Sequence, residues 1–148
     1  MRLTTRTNLA MRALMFCAVN PGLTVRKSDV AAACNASENH LGLVINQLAQ
    51  AGFIHTTRGR HGGMRLGRAP EEISVGAVFR LLESDLPFAE CFSPAENTCP
   101  LAGVCRLNAT LCKALNAFYA TLDAVTLADL TRDNTALQAI LCRPADAA

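Results

Sequence analysis

Apolar positions along the chain repeat first with a helical period, then briefly with a strand-like one, then with a helical one again. From about Thr5 to Val19, Leu9, Ala10, Ala13, Leu14 and Cys17 fall on one helical face, and Asn20-Pro21-Gly22 stops the run. A short helix fits Arg26 to Ala33. Cys34-Asn35-Ala36 reads as a tight turn, and Ser37 as the N-cap of a third helix whose Leu41, Val44, Ile45 and Leu48 share a face. Gly52 stands where a C-cap glycine belongs. Phe53 to Arg58 and Met64 to Leu66 then read as two short strands around Gly59-Arg60-His61-Gly62-Gly63, whose glycines can supply the positive φ angles of a hairpin turn.

Beyond the hairpin, Ser74 caps a helix running to about Glu83. Ser84 to Pro100 contains Pro87, Pro94 and Pro100 and little periodicity, which predicts a long loop. Val104, Leu107, Leu111, Ala114, Phe118, Leu122 and Val125 then recur at spacings of three and four, a heptad-like stripe on one long helix. Such a helix needs a partner surface, either its own domain or, more economically, the same helix of a second copy. Thr126 and Asp129 fit a capping box, and Asn134 to Leu141 a last short helix. Helix, turn, helix and a hairpin with an arginine-bearing tip follow one another in the order of a winged helix-turn-helix. The predicted fold is therefore mainly α with a small β-hairpin wing. It comprises a winged helix-turn-helix DNA-binding domain over 1–84, a cysteine-bearing loop over 85–104, and a long dimerisation helix with short C-terminal helices over 105–148.

Composition adds limits. The 148 residues are 51 % hydrophobic, enough for one ordinary core. No apolar run reaches the roughly 18 residues of a membrane span. Met-Arg-Leu-Thr-Thr-Arg leads into no continuous apolar core with a cleavage site, so a cytoplasmic protein with no membrane partner is expected. Charge is unevenly spread. Met1 to Pro70 carries nine Lys or Arg against Asp29 and Glu38, a net +7, whereas Glu71 to Ala148 carries five against ten acidic residues, a net −5. A basic first half points to a polyanion, and the helix-turn-helix order makes that double-stranded DNA.

A recognition helix reads bases with polar residues near its start, here Ser37, Asn39 and His40. Asparagine can pair with adenine through two hydrogen bonds. Each of these residues is equally an ordinary member of a solvated helix face. Arg58 and Arg60 flank a glycine turn that can approach phosphates or a narrow minor groove.

Seven cysteines are many for a chain expected in the reducing cytosol, and clustered thiols there point to a metal or to redox chemistry. Cys91, Cys99 and Cys105 lie on or beside the proline-containing loop. Their spacing is neither a zinc knuckle nor a ferredoxin run. Three thiolates suit an iron–sulfur cluster and leave one coordination position open. Cys112, two turns after Cys105, is either a fourth thiolate or, as is commoner for a cysteine on such a helix, a small buried residue. A zinc- or thiol-based sensor is the competing interpretation. An enzyme or electron carrier is disfavoured, because neither a histidine nor a carboxylate pair accompanies the cysteines.

Met-Arg-Leu-Thr at the start, Asn39-His40-Leu41, the wing from Thr57 to Gly63 and the three cysteines together resemble the bacterial winged-helix repressor family that includes the nitric-oxide sensor NsrR and the iron–sulfur regulator IscR. The resemblance covers nearly the whole chain. Cys91-Phe92, Cys105-Arg106-Leu107 and Thr126 to Leu130 look most like the NsrR branch. It implies a homodimer with a cluster in each subunit, 4Fe–4S rather than 2Fe–2S, bound to operator DNA and released when nitric oxide damages the cluster. In that branch the fourth ligand is an aspartate reaching across the dimer, and the matching position is Asn8, a poorer iron ligand than a carboxylate. The IscR-type histidine position holds Asn108. Gly42-Leu43 replaces a bulkier, basic pair in the recognition helix, so a phosphate contact from Leu43 is not expected.

Overall fold

The computed structural model describes residues 3–84, 87–93 and 97–143. Met1, Arg2 and part of the expected loop, including Pro94, lie outside the described residues. The elements in order are α1 (Thr5–Val19), α2 (Lys27–Ala33), α3 (Glu38–Gln50), β1 (Ile54–Thr57), β2 (Gly63–Leu66), α4 (Val75–Glu83), α5 (Arg106–Asp123), α6 (Leu127–Thr131) and α7 (Thr135–Leu141), with 3-10 turns at Pro70–Glu72 and Glu90–Phe92. Among the described residues the protein is thus mainly helical with one antiparallel hairpin, as expected.

The core forms around α1. Leu9, Ala10, Ala13, Leu14, Phe16 and Cys17 are buried there against Leu41, Val44 and Leu48 of α3, Val78 and Leu82 of α4, and Leu127 of α6. Burial pushes the Cys17 thiol up to about 12, which makes it a packing residue without thiolate chemistry. The helix-turn-helix closes through Asn35, whose φ of +47° and the bond from Ala36 N to Ala31 O make the turn. Arg12 of α1 donates to Cys34 O (2.9 Å) and holds that turn against the core.

Strand pairing runs from Ile54 opposite Leu66 to Thr57 opposite Gly63. Val25, between α1 and α2, joins the wing by two bonds to Met64. The wing glycines do different work from that predicted. Only Gly59 has a positive φ, +104°. A Cβ on Gly62 would overlap Thr57 O, and one on Gly63 would stand 2.5 Å from Val25 O. These two are required by close backbone approach instead.

Ser74 and Thr126 cap their helices through side-chain bonds, and the Thr126 backbone N–H donates in return to the Asp129 carboxylate. Ser37 occupies the N-cap position of α3 but makes no side-chain cap bond. The apolar stripe of α5 is divided. Phe118, Leu122 and Val125 pack on the core, whereas Leu107 is 62 % and the preceding Val104 80 % exposed. Arg80 of α4 grips Asp123 with both terminal guanidinium nitrogens, Nη2 at 2.7 Å, and lies 4.3 Å over the Tyr119 ring. After α5 the chain returns, and Leu127 and Leu141 enter the same core as α1.

Candidate DNA interface and cysteine loop

α3 shows solvent its polar face. Ser37, Asn39 and His40 are all exposed at its start, and Leu43 is 65 % exposed one turn later. Their direction follows from the period: Leu41, Val44, Ile45 and Leu48 take the core side and leave the intervening residues outward. Arg58 and Arg60 are exposed at the wing tip, on either side of Gly59. A groove of about 280 Å³ separates helix from wing, lined by Lys27, Gly42, Asn46, Thr56 and Gly63 among others. The fold therefore leaves the five candidate DNA residues exposed at a helix start and a wing tip, while the groove itself is walled by the middle of α3 and the base of the wing.

Two basic residues not singled out in the sequence join this region. Lys27, on the groove wall, forms an ion pair with Glu38 at 3.5 Å. Arg65 projects from β2, opposite His55, and donates to Thr24 Oγ1 at 2.8 Å. The alternation of β2, with Met64 buried and Arg65 exposed, is the signal that would have found the second.

The cysteine segment begins where α4 ends. Cys91 sits in the 3-10 turn Glu90–Phe92, Cys99 after the described part of the loop resumes at Asn97, and Cys105 at the N-cap of α5. Glu90 Oε1 accepts from both Thr98 N (2.8 Å) and Thr98 Oγ1 (2.6 Å), joining the neighbours of Cys91 and Cys99 to each other. Those bonds hold the Glu90 carboxyl below the usual range. Asn108 Nδ2 donates to Cys91 O at 3.4 Å, tying this turn to the first turn of α5. Asn108 Oδ1 in turn accepts from the Cys112 thiol at 3.8 Å.

All three cysteines are half-buried free thiols, as is Cys112. Among the described residues, no set of three or more His, Cys, Asp or Glu side chains is close enough to hold a metal ion. The segment is drawn together at backbone level while its thiols are not gathered on one point. In kind and number the donors fit a thiolate-held group, since three uncommitted thiols fall within one short segment. Asn8 is exposed on α1, one residue past the buried Thr7. Cys34 lies in the helix-turn-helix turn, where burial raises its thiol and Arg12 opposes that rise.

An exposed polar helix start and an arginine-tipped hairpin on a helical core define a winged-helix DNA-binding protein. A family model described as Rrf2, iron-dependent transcriptional regulator, matches residues 3–133, and the chain belongs to the Rrf2 family of transcriptional regulators. The transcriptional regulator NsrR of Geobacillus kaustophilus is 44 % identical over 142 residues, covering 95 % of this chain and 97 % of that protein. NsrR of Bacillus subtilis is 40 % identical over the same length, with 95 % and 97 % covered. Among solved structures, that of T. potens IscR superposes with a TM-score of 0.72 at 27 % identity, covering 90 % of this chain and 88 % of the other. These proteins are transcriptional regulators rather than enzymes, and so is this chain. No helix among the described residues is long and apolar enough to cross a membrane.

Proposed function

We propose that the protein is a homodimeric, iron–sulfur-dependent repressor that holds operator DNA while its cluster is intact and releases it when nitric oxide damages the cluster. The observation that carries this reading is the set of three free, half-buried thiols on one segment between the DNA-binding core and α5. The family description as iron-dependent and the similarity to proteins named NsrR support it. Cys91, Cys99 and Cys105 are the proposed ligands, and Asn8 of a second copy is the position for the fourth. When bound, the cluster supplies a redox-active, nitric-oxide-reactive centre. Each thiolate then pins its own stretch of backbone: Cys91 the turn after α4, Cys105 the start of α5, and Cys99 the chain between them. Holding these three stretches at one centre would order the segment, and loss of the cluster would loosen it.

The dimer is supported by α5. It has no buried residue over 18 positions, and Leu101, Val104 and Leu107 leave an apolar strip at its exposed end. A strip of that kind is covered most simply by its copy.

Anaerobic reconstitution with iron and sulfide, followed by visible spectroscopy and gel shifts, tests the proposal. We expect absorbance near 400 nm, roughly, from sulfur-to-iron charge transfer. Operator binding is expected to weaken after nitric oxide. Colourless protein with stoichiometric zinc, or equally tight binding in the stripped, loaded and nitrosylated states, overturns it.

A further inference from the structure

Glu83 is the last residue of α4, and the chain passes from it through Ser84 toward the three cysteines. Its Oε1 accepts three hydrogen bonds from the first turn of α1, 76 to 79 residues earlier. Thr4 gives its backbone N–H (2.9 Å) and its hydroxyl (2.8 Å), and the buried Thr7 gives its hydroxyl. Next to them Arg6 donates to Leu82 O at 3.3 Å. Burial alone pushes the Glu83 carboxyl up. Thr7, Thr4 and the charge of Arg6 outweigh it and hold the group below the ordinary carboxylate range. One oxygen thus binds the start of α1 to the end of α4.

Both sides of this clasp lead to functional parts. Behind Thr7, α1 buries Leu9, Ala10, Ala13 and Leu14 in the core it shares with α3. On the other side, Thr4 and Glu83 border a cavity of about 520 Å³ together with Ser84 and Phe88, at the entrance to the cysteine segment, and Leu115 and Phe118 of α5. The clasp therefore stands where α4 gives way to that segment. Because three donors converge on a single oxygen, separating the end of α4 from the start of α1 loosens all three bonds at one point.

We propose that Glu83 is a positioning residue that couples the cysteine segment to the DNA-reading helix, transmitting its order through the start of α1 to α3. The proposal rests on the cluster-dependent DNA binding inferred above. A purely structural cap would lower the melting temperature and leave the loaded-to-stripped affinity ratio alone, whereas a coupling residue changes the ratio.

The test uses the full chain as wild type, Glu83→Ala, Glu83→Gln and the near-isosteric Thr7→Val. Each is measured loaded and stripped against a duplex selected by the wild type from random-sequence DNA. Hydrogen exchange of the α3 amides is followed in parallel. Glu83→Ala and Thr7→Val are expected to cut the affinity ratio about tenfold, within the usual span of allosteric couplings, and to speed exchange in α3. Glu83→Gln, which keeps an acceptor oxygen, recovers part of the ratio. A wild-type ratio preserved in both variants overturns the coupling. If the wild-type ratio is itself one, the cluster-dependent reading fails and exchange decides alone: faster exchange in α3 of Glu83→Ala sustains the link from clasp to helix, and unchanged exchange overturns it.

Discussion

Asp123 occupies the place of the side chain that Gly76 lacks. A Cβ on Gly76 would overlap Asp123 Oδ1 and stand 2.9 Å from the Asp123 backbone nitrogen, so α5 ends directly on the first turn of α4. Arg80, one turn further along α4, fixes that carboxylate with both nitrogens. Gly76→Ala therefore forces the two helices apart. Overpacking of this kind costs about 1–3 kcal/mol, and the melting temperature is expected to fall by several degrees. A melt indistinguishable from wild type would show that α5 is not seated as described.

Asn20 performs a comparable service at the other end of α1. Only 3 % exposed, it donates to Phe16 O and Leu141 O and accepts from Arg143 N, each at 2.8 Å. Asn20→Ala leaves buried backbone groups unpaired, and a loss of about 1–3 kcal/mol is expected for each group stranded. Urea unfolding measures it. Exchange at the α7 amides should rise first, because Asn20 is what ties the end of that helix to α1.

Acid should weaken the protein partly through Glu83. Its carboxyl titrates below the ordinary value of about 4.3 when folded, so its contribution is complete above that value and is lost as the pH falls through the folded one. Comparing urea midpoints of wild type and Glu83→Gln between about pH 6 and pH 3 exposes the effect. The two curves are expected to converge as the pH falls. Parallel curves would mean that the clasp does not depend on charge.

On DNA, the wing arginines and the helix asparagine should separate. Arg58→Ala and Arg60→Ala are expected to weaken binding to all sequences and to reduce the slope of log affinity against log salt by about 0.9 for each phosphate left without its arginine. Asn39→Ala is expected to leave the slope in place and cost about 1–3 kcal/mol at one preferred base pair only. A salt slope unmoved by both arginine variants would remove the wing from the interface.

Asn8→Asp addresses the fourth ligand. A carboxylate binds iron better than a carboxamide, so on the proposed function a cluster reconstituted in the variant should outlast one reconstituted in the wild type in air. Decay of visible absorbance at equal protein concentration measures this. Identical lifetimes would argue that the fourth ligand comes from elsewhere.

Much of the architecture was legible locally. The capping box Thr126–Asp129, the cap at Ser74, the turn at Asn35 and the core faces of α1 and α3 stand where the pattern put them. Each depends on residues within a turn or two of one another, and side-chain period and cap chemistry act at that range. The proposed site was legible only as a set of residues. Three thiols on one loop are visible in the order of the chain, but the bonds from Asn108 to Cys91 and from Thr98 to Glu90 depend on how α5 and the loop fold back.

The order of residues was enough for the helices, the hairpin and the basic first half. The rest waited on how the helices pack. Packing split the α5 stripe into a docked half and an exposed half, gave Gly62 and Gly63 close contacts instead of special angles, and set Glu83 on Thr4 and Thr7. The reason is physical: backbone period and capping are settled by neighbours in the chain, whereas contacts across roughly 50 to 120 residues exist only once the core has chosen which helices touch.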